Sequence, residues 1–506
     1  MSAADHYYWI AAQVNNNATL GGVLDAAVTD ITYTCGGAET TLDLTSIGDP
    51  SDRGAMVFNT RSYPFLPWDN SSHVYRIPAM VVANDGSIVV ACDKRYNSTT
   101  DIGGSHVIDI VVRRSTDGGK TWSTPVVIAK GDNSTAATTG YGDPSLYKDE
   151  NGKLYCLFAA GNTGYFYGLN RICMFTSTDN GVTWSRSESN PPADLVSTSK
   201  VTDHANAYGS NTAYGLYDYF VTSGRGICTS EGYLMALLPA QPYTDSGQTA
   251  HTSNSQDYIF YSTDKGATWH ISEDCIYAGG DEAKVTQLED GKILASVRQA
   301  QGRGFNTATY TDNGDGTLSF TMGTQSQNTQ LYNGNSANNQ DILYYQRTAS
   351  SGKTDVIFHS MTTGTHANLK LYYSTDQGTN WTEFLNVQTK GTRYVTMDKG
   401  GTEANPGSLY VFFEDQSLNA AGGQSDYNHY PLNFLEITRA QLLQYIPTLD
   451  DEHTEAVKVA DGTNTNGPDT YGDAGTGSNS DRTNASSTWT SNATSGVAGV
   501  TITSDH

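Results

Sequence analysis

The chain has 506 residues, enough for one large domain with smaller appendages. Acidic residues outnumber basic ones by 53 to 29, a formal charge of −24, which argues against nucleic acid or an anionic membrane as a partner. Charged residues are only 16%, against 51 Gly and 32 Tyr, a balance that suits many short strands and turns on an extracellular, glycan-facing protein.

Residues 1–60 carry alternating runs ("DITYTC", "TTLDL") divided by Gly and Asp turns, which predicts a small N-terminal β subdomain. The opening "MSAADHYYW" shows no signal peptide and is what a chain shorn of its export signal would show. The protein is therefore expected to be secreted, periplasmic or on the cell surface. No run of about 18 apolar residues occurs, so no membrane insertion is expected. Cys35, Cys92, Cys156, Cys173, Cys228 and Cys275 are scattered without metal-type spacing; buried free thiols and one or two disulfides both fit.

From Arg114 a phrase begins to recur: "RSTDGGKTW", "TSTDNGVTW", "YSTDKGATW" and "YSTDQGTNW". Its aspartates are Asp117, Asp179, Asp264 and Asp376, and a degenerate copy, "YTDNGDGTLSF", places another at Asp312. Each copy follows a short β-type run and precedes another extended stretch. That predicts a hairpin whose Asp accepts hydrogen bonds from turn amides, whose Gly takes a positive φ, and whose Trp lies across the strands. One such hairpin per interval of 62, 85, 48 and 64 residues means one four-stranded sheet each, the mark of a β-propeller. A carboxylate occupied by its own turn is scaffold. Near the end, "TRAQLLQYI" (438–446) predicts a short helix, and the polar low-complexity run from 448 to 506 predicts a linker or disordered tail.

A propeller is only a platform, so function has to come from a site. The stretch "YRIPAMVVANDGSIVVACDKRYNSTTDIGGS" ahead of the first repeat resembles the exo-α-sialidase (neuraminidase) family of bacteria and trypanosomes. There a Tyr/Phe-Arg-Ile-Pro motif opens the first blade and the repeats sit on the outside of the propeller. The likeness covers roughly residues 70–446. It implies an all-β chain: a six-bladed propeller at 61–447, flanked by the subdomain at 1–60 and the tail at 448–506.

Residue by residue, the resemblance implies that Arg76 and Arg298 belong to an arginine triad that binds the substrate's carboxylate, with Glu414 orienting Arg76. Arg95 matches a further arginine of the sugar pocket, and Asp143 an aspartate that contacts ring substituents. Asp101 matches the acid/base, Tyr394 the nucleophile and Glu282 its partner. The third arginine is missing: in "TGTHANLKLYYSTD", His366 stands in its register. Either His366 fills that place, or it packs elsewhere and Arg303, Arg347 or Arg393 supplies the charge.

The set is chemically coherent. A sialoside is always an anion at neutral pH, and arginine grips a carboxylate through a planar fork that never loses its charge. An acidic protein needs such a cluster where its substrate sits. The substrate's carboxylate would repel an Asp or Glu nucleophile, whereas a neutral phenol avoids that repulsion. Its ordinary pKa of about 10 means it needs a base beside it, which Glu282 supplies. Asp101 would protonate the leaving oxygen and then activate water, giving retention. The implied partners are sialylated glycoconjugates, the expected state is a monomer, and the 11 histidines show no metal spacing, so no metal or cofactor is expected. A catalytically silent glycan-binding propeller and a transglycosylating sialidase are the rival readings.

Overall fold

The structure, a computed structural model, describes most of residues 60–451 and, ahead of them, short strands at 23–24, 30–35, 38–43 and 55–56. The breaks within 60–451 are 67–72, 97, 99, 104–105, 132–139, 162–170, 187–215, 248, 301, 332–338, 364–366, 389–390 and 416–430. Most of the N-terminal subdomain and the tail beyond residue 451 thus lie outside the described residues.

The described chain is all-β, in a propeller-like arrangement of antiparallel meanders. Strands His73–Val82, Ile88–Tyr96, Ile108–Ser115 and Val126–Ala129 pair in sequence, and so do Gly140–Lys148, Leu154–Gly161, Arg171–Ser177 and Ser185–Arg186. These two meanders join into one sheet through a single pairing, Gly140 with Ile108. Separate sheets follow at Leu216–Tyr219, Leu234–Pro242, Gln256–Ser262 and His270–Ile271, then at Ala283–Gln287, Ile293–Arg298, Arg303–Asp312 and Leu318–Met322. Next come Ile342–Gln346, Val356–Thr363, Ala367–Ser374 and Thr382–Gln388. The last sheet, Thr392–Gly401, Pro406–Asp415 and Leu432–Ile437, takes its outer strand from Thr60–Phe65, which ties the two ends of the domain together.

Apolar side chains fill the spaces between neighbouring sheets. Tyr155 and Leu157 of one sheet pack with Leu234, Ala236 and Phe260 of the next, for example. The first strand, His73–Val82, is buried along its whole length, as a strand covered on both faces must be. Helix is scarce: Arg439–Tyr445 is capped by Thr438 in a capping box with Gln441, and buried Leu449 just beyond it completes the last core. Cys92, Cys156, Cys173, Cys228 and Cys275 are free thiols.

The repeated turns are built alike. Asp117 accepts from the amides of Lys120 and Thr121 at 3.1 and 2.9 Å, and Asp179, Asp264 and Asp376 accept the equivalent amides of Thr183, Thr268 and Asn380 at 2.9, 2.7 and 2.8 Å. Hydroxyl donors Thr121 and Ser115 hold the Asp117 carboxyl down to about 2. Two successive residues have positive φ in each turn, as at Asn180 and Gly181 (57° and 84°). A side chain at Gly181 would also strike Val89 of the neighbouring meander. Register fixes where these turns lie. Ser115 pairs opposite Ile88, whereas Arg95, at the other end of the same strand, pairs opposite Ile108. The repeats occupy one end of the sheets and leave the opposite end for a site.

Candidate active site

Arg76 sits at that opposite end, on a strand distorted to present it. The pairing slips between Arg76 and Ala79, and Ile77 has φ 60°. A residue before proline normally stays extended, and a β-branched side chain at positive φ is strained, so something must hold this bulge. Glu414 does. Its Oε1 accepts Arg76 Nε at 2.6 Å and the Ile77 amide at 2.8 Å. Burial works against the Arg76 charge, and Glu414 more than restores it.

Arg95 is buried, 1% exposed. It donates to Asp93 Oδ2 at 3.1 and 2.7 Å and pairs with Asp101 Oδ1 at 2.7 Å. Asp101 is 55% exposed at its side chain, and its carboxyl lies below the ordinary range: burial raises it, but Arg95 and Arg76 outweigh burial. Asp143, at φ 58°, donates its amide to Asp93 Oδ1 at 3.0 Å. Burial, then the charges of Asp93 and Glu282, push the Asp143 carboxyl well above its usual range. One corner of the site thus holds Asp101 below the ordinary carboxylate range and Asp143 above it.

Across from it, Tyr394 Oη donates to Glu282 Oε2 at 2.8 Å, and the same oxygen accepts from Arg298 Nη1. Burial first, then Glu282, raises the Tyr394 phenol far above 10, so the ring is neutral. Burial raises Glu282 as well, against the pull of Arg298. Arg76 lies over the Tyr394 ring at 5.8 Å, which brings the two halves together. Arg298 keeps a quarter of its side chain exposed and also reaches Asp281 at 3.6 Å.

His366 lies outside the described residues. Of the arginines that could replace it, Arg303 is fully buried and donates to Ser296 Oγ and O at 3.1 and 2.8 Å. Arg347 stacks over Tyr344 at 3.8 Å and donates to the Gln287 carbonyl, at the repeat end of its sheet. Arg393 is next to Tyr394 in the chain, where the strand pairing slips between Thr392 and Val395.

Sequence reasoning missed the residues behind the site. Asp93 clamps Arg95, and the signal was present in "DKR": residues two apart share one face of a strand. Lys284 shares the Glu282 face by the same spacing and is buried, which pushes its ammonium down to about 8 despite Asp341 and Glu282. Asp341 in turn accepts from Arg225 Nε at 3.0 Å and from the Met397 amide at 2.7 Å.

Asp257 is 0% exposed, and neither of its carboxylate oxygens is hydrogen-bonded among the described residues. It packs against Gly280, where a Cβ would come within 1.8 Å of Oδ2. Burial, then Asp281, raises its carboxyl well above the usual range. The fold therefore keeps a proton that the unfolded chain releases above about pH 4, so stability falls as pH rises, by up to about 1.4 kcal/mol per unit. Asp257→Asn, of similar shape and always neutral, is expected to raise Tm at about pH 7.5 and to lose that gain towards about pH 4. Thermal unfolding across this range checks it; a gain independent of pH would mean that Asp257 is ionised in the fold.

Residues 103–429 match the family described as "BNR repeat-like domain". A sialidase of Bacteroides fragilis (strain YCH46) is 28% identical over 316 residues, 59% of this chain and 51% of that protein. A sialidase of Micromonospora viridifaciens is 31% identical over 253 residues, 47% of this chain and 35% of that protein. The chain thus spans about half or less of the length of these curated relatives. Among solved structures, the Hadza microbial sialidase Hz136 superposes with a TM-score of 0.56 at 21% identity, over 77% of this chain and 73% of that one, a likeness of fold. The chain belongs to the BNR repeat-like domain family, and its relatives there are bacterial-type sialidases.

Proposed function

We propose that this protein is an exo-α-sialidase that hydrolyses terminal sialic acids from glycoconjugates with retention, through a covalent intermediate on Tyr394. The observation that carries this reading is the hydrogen bond from Tyr394 to Glu282, a neutral phenol with a carboxylate at 2.8 Å, flanked by Arg76 and Arg298. The two arginines take the substrate's carboxylate. As the Tyr394 oxygen bonds to the anomeric carbon, its proton passes to Glu282, and the glycosidic oxygen leaves with a proton from Asp101. Asp101 then draws a proton from water, which attacks the same carbon, and the Tyr394 oxygen leaves as it takes its proton back from Glu282.

Asp101 is ionised in the free site, held so by Arg95 and Arg76. A bound sialoside neutralises Arg76 and excludes water, and both changes raise the Asp101 pKa. Substrate binding therefore brings a proton to the acid that needs it, and affinity falls as pH rises above the free Asp101 value.

The propeller is read as six-bladed: parting the nine-stranded sheet at its single Gly140–Ile108 pairing leaves six units of four to six strands, each built on a four-stranded meander. The wider organisation is proposed with it: a subdomain at 1–60, the propeller at 61–447, a tail at 448–506, and a monomer working outside the cytoplasm.

The test is product analysis with sialyllactose. The reading expects free sialic acid, formed first as the α-anomer. Sialic acid transferred to another sugar, or an anhydro product, points to transglycosylation; no turnover across a broad pH range points to a glycan-binding propeller.

A further inference from the structure

Asp101 lies between strands Ile88–Tyr96 and Ile108–Ser115, and more than half of its side chain is exposed. An acid that must meet a leaving oxygen from such a position needs its backbone held. Ile102 anchors one side, buried with Ile108, Ala159 and Phe220. On the other side stands His106, a residue that the reading above leaves without a role. Its Nε2 lies 2.8 Å from the Thr100 carbonyl oxygen, and its Nδ1 3.3 Å from Thr100 Oγ1, which is itself 2.9 Å from Ser98 Oγ.

A carbonyl only accepts, so Nε2 carries the proton; a neutral imidazole then offers Nδ1 as the acceptor for the Thr100 hydroxyl. Burial and the charge of Arg95 keep His106 in that neutral form, against the opposing effects of the Thr100 carbonyl and Asp101. The Thr100 carbonyl and the Asp101 amide belong to one rigid peptide plane. A backbone movement that carries Asp101 away from Arg95 turns that plane and breaks the His106 bond.

We infer that His106 is a positioning residue for Asp101, fixing the Thr100–Asp101 peptide so that the carboxyl meets the glycosidic oxygen. The inference rests on the proposed role of Asp101 as the acid/base.

The experiment compares two leaving groups. Sialyllactose leaves as a poor alkoxide and needs a placed acid, whereas a methylumbelliferyl sialoside leaves with little protonation. His106→Ala is expected to lower kcat/KM, which reports the first step alone, about ten- to a hundredfold on sialyllactose and by no more than about threefold on the aryl sialoside. Inhibition by free sialic acid should be unchanged. His106→Gln, whose amide can donate to the carbonyl and accept from the hydroxyl, should recover most of the loss. Equal losses on both substrates, or none on either, overturn the inference. Asp101→Ala is the control and should show the same split, enlarged. If Asp101→Ala falls equally on both substrates, the acid/base reading of Asp101 fails and this inference falls with it.

Discussion

Tyr394→Phe is expected to lower kcat by about three orders of magnitude or more on any sialoside, with little change in Tm. The substitution removes one oxygen, the atom proposed to bond to the anomeric carbon. Glu282, which accepts from Tyr394 at 2.8 Å, keeps its ion pair with Arg298, so no buried charge is left alone. Stability and rate should therefore separate. The phenol is half-buried and neutral, raised well above its ordinary value by desolvation and Glu282. That favours attack coupled to proton loss over a standing phenolate, with Glu282, which accepts the phenol's hydrogen bond, placed to take the proton. Steady-state kinetics on protein matched for folded fraction reads the effect. Retention of more than about a tenth of the activity would mean that the nucleophile lies elsewhere.

The second large effect belongs to Arg76. Arg76→Lys keeps a positive charge but loses the planar fork, and the Nε bond to Glu414 that aims it. KM for sialyllactose is expected to rise by about 2 to 3 kcal/mol, roughly thirty- to a hundred-and-fifty-fold, the scale of a charge-assisted hydrogen bond to a carboxylate. The loss should appear mainly in KM, because the sialoside's carboxylate is bound both before and during the reaction. Arg298, with its own ion pair to Glu282, should hold the remainder. A variant with wild-type KM and reduced Tm would give Arg76 a structural role only.

Parts of this architecture were legible in the sequence for plain reasons. The Ser-Thr-Asp-x-Gly-x-x-Trp turns are local, each closed by bonds within five residues, so the phrase predicts the hairpin wherever it falls. The helix at Arg439–Tyr445 is equally local, fixed by its capping box. The candidate site residues Arg76, Glu282 and Tyr394 are singled out only by family resemblance, because their contacts join distant segments: Arg76 and Glu414 are 338 residues apart.

What stayed hidden depends on those long-range contacts. The left-handed Ile77 precedes a proline and reads as extended; only Glu414, from another sheet, makes the kink tolerable. Asp93 reads as an ordinary strand carboxylate until Arg95 and the Asp143 amide are seen on its two oxygens. Lys284 and Asp257 read as surface charges, since nothing in the sequence says that neighbouring sheets cover them. His106 looks like a loop histidine until its ring is found on the peptide that carries Asp101.

Trapping the bond between Tyr394 and the sugar tests the proposed mechanism. A sialosyl fluoride bearing a second fluorine beside the anomeric carbon forms the glycosyl-enzyme but turns it over slowly, because the added fluorine destabilises the positively charged transition state. Peptide mass mapping after brief exposure should find the sugar on the peptide containing Tyr394, and none on the Tyr394→Phe protein. A sugar attached to Asp101, Glu282 or another residue, or an intact protein with no sugar while substrate is being hydrolysed, would contradict the account.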